Sequence, residues 1–481
     1  MKPITVAQII QWTAGEKLAG SLSAAVQGVS IDSRLIRSGE LFIPLRGERV
    51  DGHEFAADAL ARGAAAALVA KDWAETVVNQ LPEADLVEGK FSLIAVDDTL
   101  SALQALAKGY RSLFFPAVIA ITGSTGKTST KDMTASILRQ MGPALKSQGN
   151  YNNEIGLPLT LLQLDESHKT AVVEMGMRGL GQIRQLTELA RPQVGIITNV
   201  GTVHMELLGS QKAIQRAKQE LIESMEPGSV AVLNADDPLV KEMAQAGADK
   251  KVIYYGWQKV PEDSSSRDNW VTARHVVSRG EDGVTFDLCY RDESVAIELP
   301  VPGKYQVSNA LAAAAGALAV GATLAQVQTG LAAASLSNMR MELIPWLGGG
   351  LVINDAYNAN PTSMAAALHT AKEIAGRRRL VLVLGDMLEL GDLSREAHRE
   401  IGQKAALLEP TYLITVGTLA QEYGKGAQAA GLDGARIEYC LDLEDAQEAV
   451  LQLARPGDVV LVKGSRGLAL ENVVESLCAR L

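Results

Sequence analysis

One short segment limits the folds open to this chain more than any other. It is Gly123-Ser124-Thr125-Gly126-Lys127-Thr128, set between the apolar run Ala117-Val118-Ile119-Ala120-Ile121 and a helix-compatible stretch from Lys127 to about Met141. A strand, a glycine loop, a Lys-Thr pair and a helix together make a phosphate cradle. Glycine lets the backbone close on an anion, and the amides that open the helix point at it. Lys127 can neutralise phosphate charge, and the Thr128 hydroxyl can hold Mg²⁺. Only Ser124 and Thr125 separate the two glycines, a shorter spacer than the common G-x-x-x-x-G-K-[ST] pattern.

Such a loop needs a parallel sheet around it, and the chain is long enough for more than one. At 481 residues it exceeds a single core, so two or three domains are expected. A first α/β unit spans residues 1–98. Val6 to Thr13 and His53 to Arg62 carry helical pattern there, and Leu41 to Leu45 and Ala65 to Val69 carry strand pattern. A central unit spans 99–334. Asp97-Asp98 opens a connecting helix that reaches about Phe114, and the strands after the loop are 171–174, 194–199 and 230–234. Around 275–299 three further strands read as an antiparallel insert. A third alternating block, 335–481, has strands at 351–354, 380–384, 412–416 and 458–462. The fold class is therefore α/β, with three domains. A parallel-sheet ATPase domain lies between a small N-terminal α/β domain and a Rossmann-like C-terminal one.

Composition excludes some functions. The formal net charge is −11, from 45 basic and 56 acidic residues, which argues against broad binding to nucleic acid or a membrane surface. The alanine-rich stretch Leu311–Val327 is interrupted by Gly316, Gly321 and Thr323 and reads as buried helices rather than a membrane span. Cys289, Cys440 and Cys478 are widely spaced, with neither a disulfide framework nor zinc spacing, as expected of a reducing cytoplasm. No signal peptide is legible at the N-terminus.

Open parallel sheets bind ligands at the carboxyl ends of their strands. Those ends carry Thr122, Glu174, Asn199, Asn234, Asp355, Asp386 and Lys463. Glu174 is a natural Mg²⁺ ligand beside phosphates, since Mg²⁺ prefers hard oxygen donors. A lone histidine such as His204 is usually structural, and its place just after a parallel strand moves the balance towards function. Lys218, in Gln215-Arg216-Ala217-Lys218-Gln219-Glu220, reads from its neighbours alone as part of a solvated helix face.

Thr122 to Thr128, Glu174, His204 and Ala217-Lys218-Gln219-Glu220 together resemble the ATP-dependent Mur ligases of peptidoglycan synthesis. The resemblance covers almost the whole chain. It is closest to the members that add D-alanyl-D-alanine to UDP-N-acetylmuramoyl-tripeptide. The marks are Asn150-Tyr151-Asn152-Asn153-Glu154-Ile155-Gly156, Asp355-Ala356-Tyr357-Asn358-Ala359-Asn360-Pro361, Gly385 to Gly391 and Lys463-Gly464-Ser465-Arg466.

The resemblance implies a cytoplasmic ATP-dependent amide ligase that forms an acyl phosphate and then an amide, in the pathway that sustains cell shape and division. ATP would lie on Gly123, Ser124, Thr125, Gly126, Lys127, Thr128 and Ser129. Asn309 would face adenine, Asp355 ribose and Arg340 the γ-phosphate. Two Mg²⁺ ions would be held by Thr128, Glu174, His204 and a carbamylated Lys218, and Lys127, Glu174, His204, Lys218 and Arg340 would carry catalysis. Ser33 and Arg34 would hold the UDP-sugar, with Asp51-Gly52-His53 nearby. Asn152, Asn153, Asn358 and Asn360 would serve the peptide substrates. The first domain would bind UDP-sugar, the second ATP, and the third the incoming dipeptide. A monomer is expected, with no nucleic acid partner and no membrane insertion.

One departure stands out. Relatives often carry His-Asn where this chain has Tyr305-Gln306, which bears on the adenine contact but still leaves an amide. Two related enzymes fit less well. A ligase adding the third amino acid is expected to carry Asp-Asn-Pro-Arg, which is missing here. A folate-type polyglutamate ligase shares the short loop but not the Asn150–Gly156 motif. A non-catalytic nucleotide scaffold would have no need of Lys127, Glu174, His204 and Lys218 together.

Overall fold

The computed structural model describes residues 1–203, 205–258 and 268–479. Its internal contacts form two compact units. One comprises Met1–Val118, Pro143–Met175 and Gln185–Pro192, the other Ile119–Gly142, Gly176–Arg184 and Gln193–Leu481.

In the first unit a sheet runs in the order Glu16–Ala19, Ser92–Val96, Ala66–Ala70, Glu40–Phe42, Gly28–Ser30. All neighbours are parallel except the first pair. Ala66–Ala70 and Ser92–Val96 are buried at every position, the reason both are unbroken apolar runs. Helix Thr99–Arg111 starts where the sequence signals it, with Asp98 accepting from the Ser101 amide. From that helix the buried Tyr110 hydroxyl donates to the Leu164 carbonyl at 2.7 Å. Strand Thr170–Glu174 lies parallel to Ala144–Lys146 and ends on Glu174.

In the second unit, strands Ala117–Thr122, Val194–Ile197, Val230–Asn234, Lys251–Tyr255 and Trp270–Ser278 follow one another in parallel. Val284–Tyr290 and Glu293–Leu299 then continue antiparallel, as the insert predicted from sequence. That insert begins earlier than expected, at Trp270. Its first strand bulges where His275 takes φ 52° and the register shifts between Arg274 and Val277. The alanine-rich stretch forms helices Gln306–Ala319 and Leu324–Ala332. Small residues are needed there for close packing. A Cβ on Gly316 would lie 2.6 Å from Ile196 Cδ1, and one on Gly330 would collide with the Ile137 backbone. Among the described residues, no helix is long and apolar enough to cross a membrane.

The same unit holds another sheet, in the order Glu342–Trp346, Gly350–Asn354, Val459–Lys463, Leu380–Gly385, Tyr412–Val416, Ile437–Cys440. Its strands are parallel apart from the first, which forms a hairpin with the second. Val381, Val383, Val460 and Val462 pack into one core, and Leu380, Leu382, Leu384 and Leu461 into the core on the opposite face. Strand Val459–Lys463, last in the chain, inserts between the first two parallel strands. The carboxyl ends carrying Asp355, Lys463 and Asp386 thus become neighbours at a switch in strand order. The edge strand Glu342–Trp346 has no counterpart among the expected strands. It contains Pro345, which a sheet accepts at an edge.

Candidate active site

The phosphate loop has the expected form. Strand Ala117–Thr122 runs into it, and helix Lys127–Leu138 leaves it with Gly126 as the residue before its first turn. Gly123 and Gly126 have φ of +151° and +78°. A Cβ on Gly123 would collide with Thr198 Oγ1, and one on Gly126 with Asn309 Oδ1. Only glycine satisfies both backbone and space at these two positions. Lys127 Nζ lies over the loop, donating to the Gly123 carbonyl at 2.8 Å.

A neighbouring strand end holds the loop in shape. The Ser124 amide donates to the Asn199 carbonyl at 3.0 Å, and the Thr125 amide to Asn199 Oδ1 at 2.9 Å. Asn199 Nδ2 returns a bond to Thr125 Oγ1 at 2.8 Å, and the Gly201 amide donates to Ser124 Oγ at 2.9 Å. Asn234 Nδ2 and the Tyr255 hydroxyl both donate to the Thr198 carbonyl behind it. Asn199 and Asn234, noted in the sequence only as polar strand ends, thus fix the loop's conformation.

Lys218 does not lie on a solvated helix face. It is buried on helix Gln211–Ser224, and burial, with Lys127 nearby, pushes its pKa well below the ordinary lysine value. Two positions on, Glu220 accepts from the Gly181 amide at 2.6 Å and the Arg184 amide at 3.1 Å, holding the start of helix Gln182–Ala190. His204 lies outside the described residues. Among those described, no three His, Cys, Asp or Glu side chains gather as a metal cluster.

In the first unit Glu174 is buried, and its Oε1 accepts from Asn152 Nδ2 at 2.9 Å. Asn153 uses its carbonyl at the start of helix Gly156–Leu161, accepting from the Gly156 amide at 2.8 Å. Ser33 is buried in a short helical turn, while the Arg34 guanidinium is 2.7 Å from Asp32. His53 Nδ1 donates to Asp51 Oδ1, 2.6 Å away, and its Nε2 accepts from the Ala70 amide at 3.0 Å. That acceptor role requires a ring without a proton on Nε2, and the ring stacks on Trp73.

Gln306 and Asn309 are buried together on helix Gln306–Ala319. Asn309 Nδ2 donates to Gln306 Oε1 at 2.7 Å. Gln306 therefore orients Asn309, the effect of the departure noted in the sequence.

Arg340 sits in an unusual stretch of backbone. Met339 and Met341 on either side of it have φ of 60° and 50°. Left-handed backbone costs a non-glycine residue roughly 1 kcal/mol or more. The Met341 amide donates to Asp355 Oδ1 at 3.0 Å, and the Met339 amide to Glu342 Oε2 at 3.0 Å. The guanidinium carbon lies 4.2 Å from the centre of the Tyr357 ring, and the buried Nε has no hydrogen-bond partner among the described residues. Asp355 Oδ2 is 2.6 Å from Lys463 Nζ, which also donates to the Asn358 carbonyl at 2.8 Å. Asn360 caps helix Pro361–Ala375, accepting from the Ser363 amide at 3.0 Å, so its side-chain carbonyl is committed to structure.

The Gly385–Gly391 segment is held from behind. Asp386 Oδ1 accepts from the Ala420 amide at 2.6 Å, and burial raises its pKa. His398 Nε2 accepts from the Met387 amide at 2.9 Å, and Nδ1 donates to the Ser394 carbonyl at 2.6 Å. Burial holds the His398 pKa below the usual histidine value.

Three family models match the chain in order. "Mur ligase family, catalytic domain" covers residues 25–111, "Mur ligase middle domain" 121–317, and "Mur ligase, glutamate ligase domain" 339–466. The UDP-N-acetylmuramoyl-tripeptide–D-alanyl-D-alanine ligase of Bacillus subtilis is 38% identical over 452 residues, covering 94% of this chain and 93% of that protein. The crystal structure of MurF from Acinetobacter baumannii matches with a TM-score of 0.85 at 31% identity, over 100% of this chain and 99% of that one. MurF from Thermotoga maritima, solved in complex with ADP, matches with a TM-score of 0.78 at 25% identity, over 95% and 99% of the two chains.

Proposed function

This chain belongs to the Mur ligase family, and from that premise we propose that it joins D-alanyl-D-alanine to UDP-N-acetylmuramoyl-tripeptide at the expense of ATP. The observation that carries this reading is the end-to-end likeness to a ligase of that name, at 38% identity over 94% of the chain. The phosphate loop supplies its chemistry.

A carboxylate is a poor electrophile at neutral pH, so amide formation needs activation. The tripeptide carboxylate attacks the γ-phosphorus of ATP, giving an acyl phosphate and ADP. The dipeptide amine, in its neutral form, then attacks the acyl carbon and phosphate leaves. Loop amides and Lys127 neutralise charge on the phosphates during transfer, on a backbone that Asn199 has already fixed. Arg340 serves the γ-phosphate, Asp355 the ribose and Asn309 the adenine. With several substrates to align, much of the rate comes from positioning. Ser33 and Arg34 serve the UDP-sugar. Asn358 serves the peptide, as do the side-chain N–H groups of Asn153 and Asn360, whose carbonyls accept from amides near helix starts. Asn152 acts through Glu174.

The residues fit Mg²⁺ on one condition. Thr128 and the buried Glu174 offer hard oxygens, and His204 completes the proposed set. Lys218 as an ammonium would repel a cation. Its depressed pKa favours the neutral amine, which can add CO₂ and lose a proton to become a carbamate. The carbamate is anionic, so Lys127 would attract it where it repels the ammonium. Mg²⁺, when bound, neutralises charge on the phosphates.

The test is phosphate release by the full chain with ATP. Release in quantity is expected only when both UDP-N-acetylmuramoyl-tripeptide and D-alanyl-D-alanine are present. Equal release with either one omitted would sink the proposal.

A further inference from the structure

We infer that Asp132 is a positioning residue for Arg340, tying the helix of the phosphate loop to the segment that presents the arginine. Asp132 lies on helix Lys127–Leu138, one turn beyond Thr128 and so on the same face. Its side chain is fully buried. Oδ2 accepts from the Ser337 amide at 2.8 Å and from the Ser337 hydroxyl at 2.7 Å. Lys131 Nζ, equally buried, stands 3.8 Å from Oδ1. Charged groups are kept inside a protein at considerable cost unless they are paired and bonded. A carboxylate needed only for solubility would lie on the surface.

Ser337 is 205 residues from Asp132 in the chain, yet three residues before Arg340. The short segment from Ser337 to Met341 is therefore held at both ends. Ser337 is bound to the loop helix, and the Met341 amide to Asp355 Oδ1. Between these anchors two left-handed methionines flank the arginine. A segment this short, fixed at both ends and strained inside, leaves Arg340 few directions in which to point. Asp132 thus sets the position of the arginine from the same helix whose first turn faces the nucleotide.

The inference rests on the reading that Arg340 serves the γ-phosphate, and the experiment separates the two. Turnover, ATP KM and thermal melting are measured on the full chain for Ser337→Ala, Asp132→Asn, Arg340→Ala and the double variant Ser337→Ala/Arg340→Ala. Ser337→Ala and Asp132→Asn are expected to lower kcat by about tenfold or more, with ATP KM within about twofold of the parent. On the Arg340→Ala background, Ser337→Ala is expected to cost nothing further, because it acts through the arginine. An equal loss on both backgrounds overturns the inference. So does unchanged kcat in both single variants while Arg340→Ala is impaired. Normal turnover in Arg340→Ala overturns the γ-phosphate reading itself, and the inference with it. Should Asp132→Asn melt early, Ser337→Ala carries the test, since it keeps the carboxylate and the backbone bond.

Discussion

The Arg340 guanidinium stacks 4.2 Å over the Tyr357 ring while its buried Nε lacks a hydrogen-bond partner among the described residues. The stack offsets part of the cost of holding that donor away from water. Replacing Tyr357 with Leu is expected to lower stability by roughly 0.5–2 kcal/mol. The loss should shrink in an Arg340→Ala background. A double-mutant cycle by urea denaturation measures the coupling, and a coupling of zero would show that the ring and the cation do not support each other.

Lys127→Ala should abolish ADP formation and leave the fold intact, since the half-buried lysine donates to the Gly123 carbonyl of its own loop turn, a bond that water can replace. Gly126→Ala should fail differently. It brings a side chain onto Asn309 at φ +78°, so a stability loss of about 1–3 kcal/mol is expected together with weaker nucleotide binding. Calorimetric ATP titration and chemical denaturation of the two variants separate these effects. Near-normal turnover in Lys127→Ala would remove the loop from the mechanism.

Lys218→Ala should be inactive and regain part of its activity with added short carboxylic acids, which can replace the carbamate. The assay is phosphate release across a series of such acids. No recovery with any of them would argue for an unmodified lysine.

His398 gives a pH dependence to the C-terminal sheet. Its pKa in the folded state is depressed by burial, against the pull of Ser394, Asp386 and Glu422. The unfolded state therefore binds a proton first. The contribution is fully present above the ordinary 6.5 and is lost as pH falls from there through the folded value. Asp386, raised by burial, runs the other way: its contribution is present below 3.8 and is lost as pH rises through its folded value. Denaturation midpoints should fall for the parent between about pH 7 and about pH 5.5 and stay flatter for His398→Gln. Parallel curves for the two proteins would rule out His398 as the source.

The phosphate loop was legible because strand, glycines, lysine and helix are contiguous, and so was Glu174 at a strand end. Lys218 was misread as solvent-facing, because its helix carries charged residues around it and its burial comes from distant chain. Asp132 left no local sign, since its partner Ser337 is far along the sequence. Asn360 did leave one. Asn-Pro two residues before Thr-Ser is a helix start, with Asn as cap and Pro in the first turn. The edge strand Glu342–Trp346 contains Pro345, which argues against a strand, and Ile437–Cys440 is only four residues long; pairing with a neighbour creates both.

The left-handed methionines around Arg340 have a consequence for anyone wishing to make this protein hardier. Met339 is half-buried, so Met339→Gly relieves unfavourable backbone geometry without emptying the core, and a screen for heat resistance would select it early. Met341 is buried, and its loss would leave a cavity that outweighs the relief. The change at Met339 frees the arginine to wander. Ruggedness and turnover are thus set against each other at this position, and a variant improved by heat alone would be the one to check first for a slower reaction.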